Sequence, residues 1–180
     1  MKIRLKFDRE FHLIDPIFFK KKFRYIFQSF LASIALLLVL IIGENIAQGA
    51  IIAGIAGTTA LISFAPHSYA SNTRRVVGGH VLSVIVGASS IFLLSLFSVD
   101  YNNASNLIIY INSSVCIGIL IILMGVLNCE HAPAAGCLLG LTYGGVDLNS
   151  VAFIILSAAI LSLIRIILLK WILCSYFTLL

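Results

Sequence analysis

The chain has 180 residues, a net charge of +5 at neutral pH, 61% hydrophobic and 11% charged residues, and a mean hydropathy of +1.10. A soluble domain carries about a quarter charged residues and under half apolar ones, and a fold of this length exposes too much surface to hide so many apolar side chains. These values exclude an ordinary soluble domain. They predict an all-α, polytopic transmembrane helix bundle, with little chain left for a folded module outside the lipid.

Eight of the twelve Lys and Arg residues lie between Lys2 and Arg24. Residues 1–24 therefore read as a basic cytoplasmic or interfacial segment, and residues 25–180 as the transmembrane domain. The positive-inside rule and anionic lipid account for the cluster without a nucleic-acid partner. Phe7, Phe11, Leu13, Ile14, Ile17, Phe18 and Phe19 alternate with its charges, which suits either an interfacial helix or a flexible tail. The apolar run from Tyr25 to Ile42 is too long for a signal-peptide core and predicts the first span. After the polar break Gly43–Glu44–Asn45, a second span runs from Ile46 to Phe64. It carries Gly49, Gly54 and Gly57, small residues that let helices approach closely.

The stretch FAPHSYASNTRR, Phe64 to Arg75, is the least lipid-like part of the interior sequence. Pro66 stops a helix there, and Ser68, Ser71, Asn72 and Thr73 supply turn and cap chemistry. A third span is expected from Val76 to Ser98, opening with Gly78, Gly79 and His80. The loop Val99–Asn106 is acidic and lacks Lys and Arg. A fourth span runs from Leu107 to Leu127, and a second break from Asn128 to Pro133 contains Cys129, Glu130 and His131. Ala134 to Gly145 is only about half a bilayer long as a helix and reads as short or re-entrant. The last span, Val151 to Trp171, carries Arg165 and Lys170 and ends on an interfacial Trp. The total is five full spans plus one short element.

With the N-terminus cytoplasmic, Arg74 and Arg75 fall inside, Asp100 outside and Glu130 inside. A short helix that completes a crossing brings Arg165 and Lys170 inside as well, which the charge rule favours. Helix, Pro-containing break with a His, then small-residue helix occurs twice, at Ile46–Gly87 and Leu107–Gly145. The echo of Ala65–Pro66–His67 in His131–Ala132–Pro133 suggests a parallel internal repeat.

Arg75 reads as a boundary residue that snorkels to the headgroups. Arg74 is the stronger binding candidate, because it adjoins a helix start at Gly78 and Gly79 whose N–H groups and dipole attract an oxyanion. The start at Ala134, Ala135 and Gly136 offers a second such end. His67, His80 and His131 are placed to gather near one face. Their spacing fits no metal motif, so proton handling or interhelical hydrogen bonding is expected of them. Cys116, Cys129, Cys137 and Cys174 match no zinc pattern and call for no disulfide. No nucleophile elbow, phosphate loop, metalloprotease motif or intramembrane carboxylate pair is found, so neither an enzyme nor a cofactor is expected.

FAPHSYASNTRRVVGGHVLSVIVG, Phe64 to Gly87, resembles the HPP family of small integral membrane proteins through Pro66, Ser68, Arg74, Gly78, Gly79 and His80. His131, Ala132, Pro133, Ala134, Ala135 and Gly136 sit where that family carries its His-Pro-Pro-Ala motif. The resemblance runs from Tyr25 to Leu173, with departures at Ala132, Tyr69 and Thr73. It implies a transmembrane transport protein, and nitrite is associated with some organellar members. The resulting expectation is a homo-oligomeric transporter or channel for an inorganic anion, nitrite or nitrate first, in a bacterial plasma membrane. Arg74, Gly78, Gly79, His80, His131, Ala135 and Gly136 would line its site. The alternative is a membrane scaffold that recruits a soluble factor through the basic N-terminus.

Overall fold

The computed structural model describes residues 22–43, 48–97 and 104–177. The basic segment before Lys22, the Glu44–Asn45 break and most of the acidic loop around Asp100 lie outside the described residues. The described residues form six helices and no strand: α1 (Lys22–Gly43), α2 (Gly49–Phe64), α3 (Thr73–Leu96), α4 (Asn106–Val126), α5 (Ala134–Gly144) and α6 (Leu148–Phe177). A 3-10 turn, Tyr69–Ser71, sits between α2 and α3. Among the described residues three helical stretches are long and apolar enough to cross a membrane: Thr73–Leu96, Asn106–Val126 and Leu148–Lys170.

Capping chemistry moves two helix starts away from the apolar edges predicted for them. The Asn72 side chain accepts the Arg74 N–H at 3.1 Å, so α3 begins at Thr73 rather than Val76. The Asp147 carboxylate accepts the Ser150 N–H at 2.8 Å, so α6 begins at Leu148 rather than Val151. The second predicted span is shorter than expected. Gln48 is extended and Pro66 follows the other end, leaving 16 helical residues in α2. That is about 24 Å of helix, less than the ~30 Å hydrocarbon core.

The two short helices α2 and α5 are the heart of the bundle, and they touch backbone to backbone. A Cβ on Gly136 would lie 2.9 Å from the Cα of Gly54, and one on Gly54 would lie 2.7 Å from the Cys137 nitrogen. Gly140 admits the Ile51 side chain in the same way. Of the glycines expected to pack α2, Gly54 makes this crossing, Gly57 meets the Pro133 ring, and Gly49 faces open space. α5 packs against α2, α3 and α4 and leaves Leu139 and Tyr143 exposed. Its Cys137 and Leu141 join one core with Ile51, Ile55, Phe153, Ile154 and Leu161 from α2 and α6. Its Ala134 and Leu138 join another with Leu82, Val86, Cys116, Leu120 and Met124 from α3 and α4.

Contacts at the ends fix the course of the chain. Arg75 and Tyr69 of the first break both bond Asn128 of the second, so the two breaks meet at one end. Arg165 of α6 donates to the Pro66 carbonyl at 2.9 Å and brings the later part of α6 to that same end. The Gln48 side chain lies against Gly144, so α5 finishes where α2 begins, at the opposite end. α5 therefore runs antiparallel to the part of α2 between Gly57 and Gln48 and does not turn back on itself. The breaks are not equivalent in their surroundings, however. His67 is exposed, whereas His131 is 1% exposed.

Candidate functional site

The first break is folded on its own polar groups. The Ser68 hydroxyl accepts the Ser71 N–H at 3.2 Å, and Ser71 Oγ donates to the Ala65 carbonyl at 2.8 Å. The Asn72 cap then sets the rotation of α3, on which neighbouring residues point about 100° apart. Arg75 is the arginine turned inward. Its guanidinium lies over the Tyr69 ring, donates to the Tyr69 carbonyl at 3.2 Å and to Asn128 Oδ1 at 2.5 Å. It is 8% exposed, so it does not snorkel, and its Nε is buried without a hydrogen-bond partner among the described residues. Arg74 is exposed, with Nη2 3.4 Å from the Leu127 carbonyl. Asn128 holds this latch at φ 54°, a left-handed conformation that Asn tolerates better than most residues.

Gly78 and Gly79 lie more than a turn inside α3, not at its start. They make room for the second break: a Cβ on Gly78 would lie 2.6 Å from Cys129 Sγ, and one on Gly79 2.8 Å from His131 Cβ. That clearance lets His131 reach the middle of the bundle. Its Nδ1 donates to the Ala70 carbonyl at 2.9 Å, and its Nε2 lies 2.9 Å from Thr58 Oγ1. His80 arrives from α3, with Nδ1 donating to the Val76 carbonyl at 2.8 Å and Nε2 3.4 Å from the same Thr58 oxygen. The two imidazole centroids are 5.1 Å apart. His80 and Thr58 are fully buried.

Of the residues expected at the site, His80 and His131 come together, with Gly79 against them. Ala135 and Gly136 lie close by, but their N–H groups already donate to the Ala132 and Pro133 carbonyls at 3.0 Å. Gly136 is also covered by α2. His67 stands apart, exposed on the first break. Thr58 was not anticipated. A threonine in an apolar helix commonly bonds the carbonyl four residues back, and Thr58 to Gly54 at 3.1 Å and Thr59 to Ile55 at 3.0 Å both do so. Nothing in the sequence separates them, and only the packing gives Thr58 the histidines.

In the second break, burial pushes the His131 imidazole below its ordinary range, partly opposed by its bond to the Ala70 carbonyl. At the far end, hydrogen bonds from Ser150 hold the Asp147 carboxyl below the usual carboxylate range. No group of three or more His, Cys, Asp or Glu among the described residues is placed to hold a metal ion.

A family model described as HPP, transmembrane region, matches residues 19–177. The chain belongs to the HPP family. The match takes in all six helices and both breaks of this HPP protein and begins within the basic segment. No curated protein and no solved structure matches the chain. Membership and the apolar helices together make this an integral membrane protein.

Proposed function

We propose that this HPP protein is a small transporter or channel for an inorganic anion, with nitrite or nitrate the first candidates. The reading rests on one observation. Where the two breaks meet, Arg74, Arg75 and Arg165 are held by carbonyl oxygens and an amide rather than by carboxylates. The only acidic residue in either break is Glu130, which is exposed. Such an end presents net positive charge, and a guanidinium offers forked donors that match a planar oxyanion. Arg75 also keeps one buried N–H with no acceptor among the described residues.

In this account α1, α3, α4 and α6 cross the bilayer at full length. The short pair α2 and α5 crosses between them, stacked at Gly54 and Gly136. The arginine end faces the cytoplasm of a bacterial cell, as the basic N-terminus directs. The anion meets Arg74 first, at the end of α3 where Arg75 and Arg165 are also held, and His80 and His131 lie behind it in the packed interior. Gly49 meets nothing within 4 Å among the described residues and gives a second copy a close approach in a homo-oligomer. No catalytic set is part of this reading. The test is nitrite uptake into proteoliposomes by wild type and Arg74→Ala. Loss of uptake in a variant that inserts normally supports the site, and unchanged uptake removes Arg74 from it.

A further inference from the structure

The hydrogen count around Thr58 is incomplete by one. A backbone carbonyl only accepts, so the Val76 and Ala70 oxygens require a proton on Nδ1 of His80 and of His131. A neutral imidazole carries one N–H, which leaves both Nε2 atoms as bare acceptors. Both are turned to the same Thr58 oxygen, at 3.4 and 2.9 Å. That hydroxyl has one hydrogen, and the Gly54 carbonyl competes for it at 3.1 Å. Whichever acceptor receives it, at least one imidazole lone pair faces an oxygen lone pair in a site closed to solvent. An unsatisfied buried acceptor of this kind keeps its desolvation penalty with no bond to offset it.

We propose that His80, Thr58 and His131 form a proton-binding site that takes up a single proton and shares it between the two Nε2 atoms through the Thr58 hydroxyl. The balance is simple. A proton added to His80 Nε2 is donated to Thr58 Oγ1, and Oγ1 donates its own hydrogen to His131 Nε2. Every polar hydrogen then has an acceptor. When Oγ1 accepts the first proton and releases its own, the charge moves from one ring to the other with no heavy-atom displacement. A second proton would set two imidazolium rings 5.1 Å apart, and like charges at that distance in a buried site oppose it.

The neighbouring elements supply no counter-charge to either ring. α2 contributes hydroxyls but no ionisable side chain, and α3 contributes Arg74, which is exposed, and Arg75, engaged by Asn128 and Tyr69. The 3-10 turn contributes Tyr69, whose phenol donates to Asn128 at 2.6 Å. The second break contributes buried Cys129 and exposed Glu130, and α5 contributes buried Cys137. Arg165 of α6 is spent on the Pro66 carbonyl, and α4 brings only Tyr110 and Cys116. The protonated site is therefore a net cation deep to the arginines. Its use in coupling proton to anion movement rests on the transporter reading, whereas the proton site itself does not.

The experiment is nitrogen-15 NMR of histidine-labelled protein in lipid nanodiscs, in a His12→Gln, His67→Gln background that leaves His80 and His131 as the only histidines. At neutral to basic pH both rings should report the Nδ1–H tautomer. On acidification they should shift together, with one proton taken up per chain. Thr58→Val should make the rings respond separately, and Thr58→Ser, which keeps the hydroxyl, should restore the joint response. An Nε2–H tautomer in either ring at neutral pH, or independent uptake of two protons by the Thr58-containing protein, overturns the proposal. Identical behaviour of the Thr58→Val and Thr58→Ser proteins also overturns it. A joint one-proton response from a protein that moves no anion leaves the proton site standing and removes the transporter reading.

Discussion

Replacing Gly54 by alanine tests whether the crossing of α2 and α5 holds the bundle together. The new Cβ would sit 2.7 Å from the Cys137 nitrogen and 2.8 Å from the Pro133 carbonyl oxygen. Both are backbone atoms at the start of α5, so no side chain can swing away to relieve the clash. The helices must part by more than half an ångström, and overpacking of this kind costs about 1–3 kcal/mol. Alanine returns about 1 kcal/mol of intrinsic helix preference, so the expected net effect runs from near zero to a loss of ~2 kcal/mol. Gly118→Ala is the control. It has the same helix preference to gain and nothing within 4 Å to meet, so it should stabilise by up to about 1 kcal/mol. Thermal unfolding of purified protein in one detergent should place Gly54→Ala below Gly118→Ala by about 1–3 kcal/mol, roughly 2–12 °C for a chain of this size. Equal melting temperatures for the two variants would refute the backbone contact.

Arg75→Ala should destabilise the protein by about 2–4 kcal/mol, since it strips Asn128 and Tyr69 of a charged partner, whereas exposed Arg74→Ala should melt within about 0.5 kcal/mol of wild type. Side-by-side melts decide this, and equal losses would contradict the inward placement of Arg75. Asp147→Ala should remove the cap of α6 at a cost of about 1 kcal/mol. Because the folded carboxyl titrates below its unfolded value, that stabilisation is present above the ordinary carboxylate range and is lost as pH falls through the folded value. The difference between wild type and Asp147→Ala should therefore shrink on acidification, and a constant difference would show that the cap does not titrate. Single cysteines placed at His67 and at Leu148, in protein whose own cysteines are replaced, should react with impermeant maleimide from opposite faces. Labelling of both from one face would contradict the course of α5.

Much of this architecture was legible because a bilayer demands long apolar runs, and the edges of those runs are visible. α4 begins within one residue of its expected position because Asn106 ends a polar loop and Leu107 opens an apolar stretch. α3 and α6 start earlier than hydropathy suggests, since a cap acts through one hydrogen bond and leaves no apolar trace. The site was half legible. His80 and His131 stand out as ionisable residues in apolar surroundings. The inward turn of Arg75 rather than Arg74 depends on helix rotation, which adjacent identical residues cannot reveal. Gly78 and Gly79 read from sequence as space for a ligand, and in the fold that space is filled by Cys129 and His131.

The central claim is anion movement, and its most direct test is flux into proteoliposomes containing only this protein. Nitrite, nitrate, chloride and formate would be compared with and without an inward proton gradient. The account predicts selective nitrite or nitrate uptake that the gradient increases. No flux of any of the four, from protein shown to be folded and inserted, would contradict it and favour a scaffold acting through the basic N-terminus.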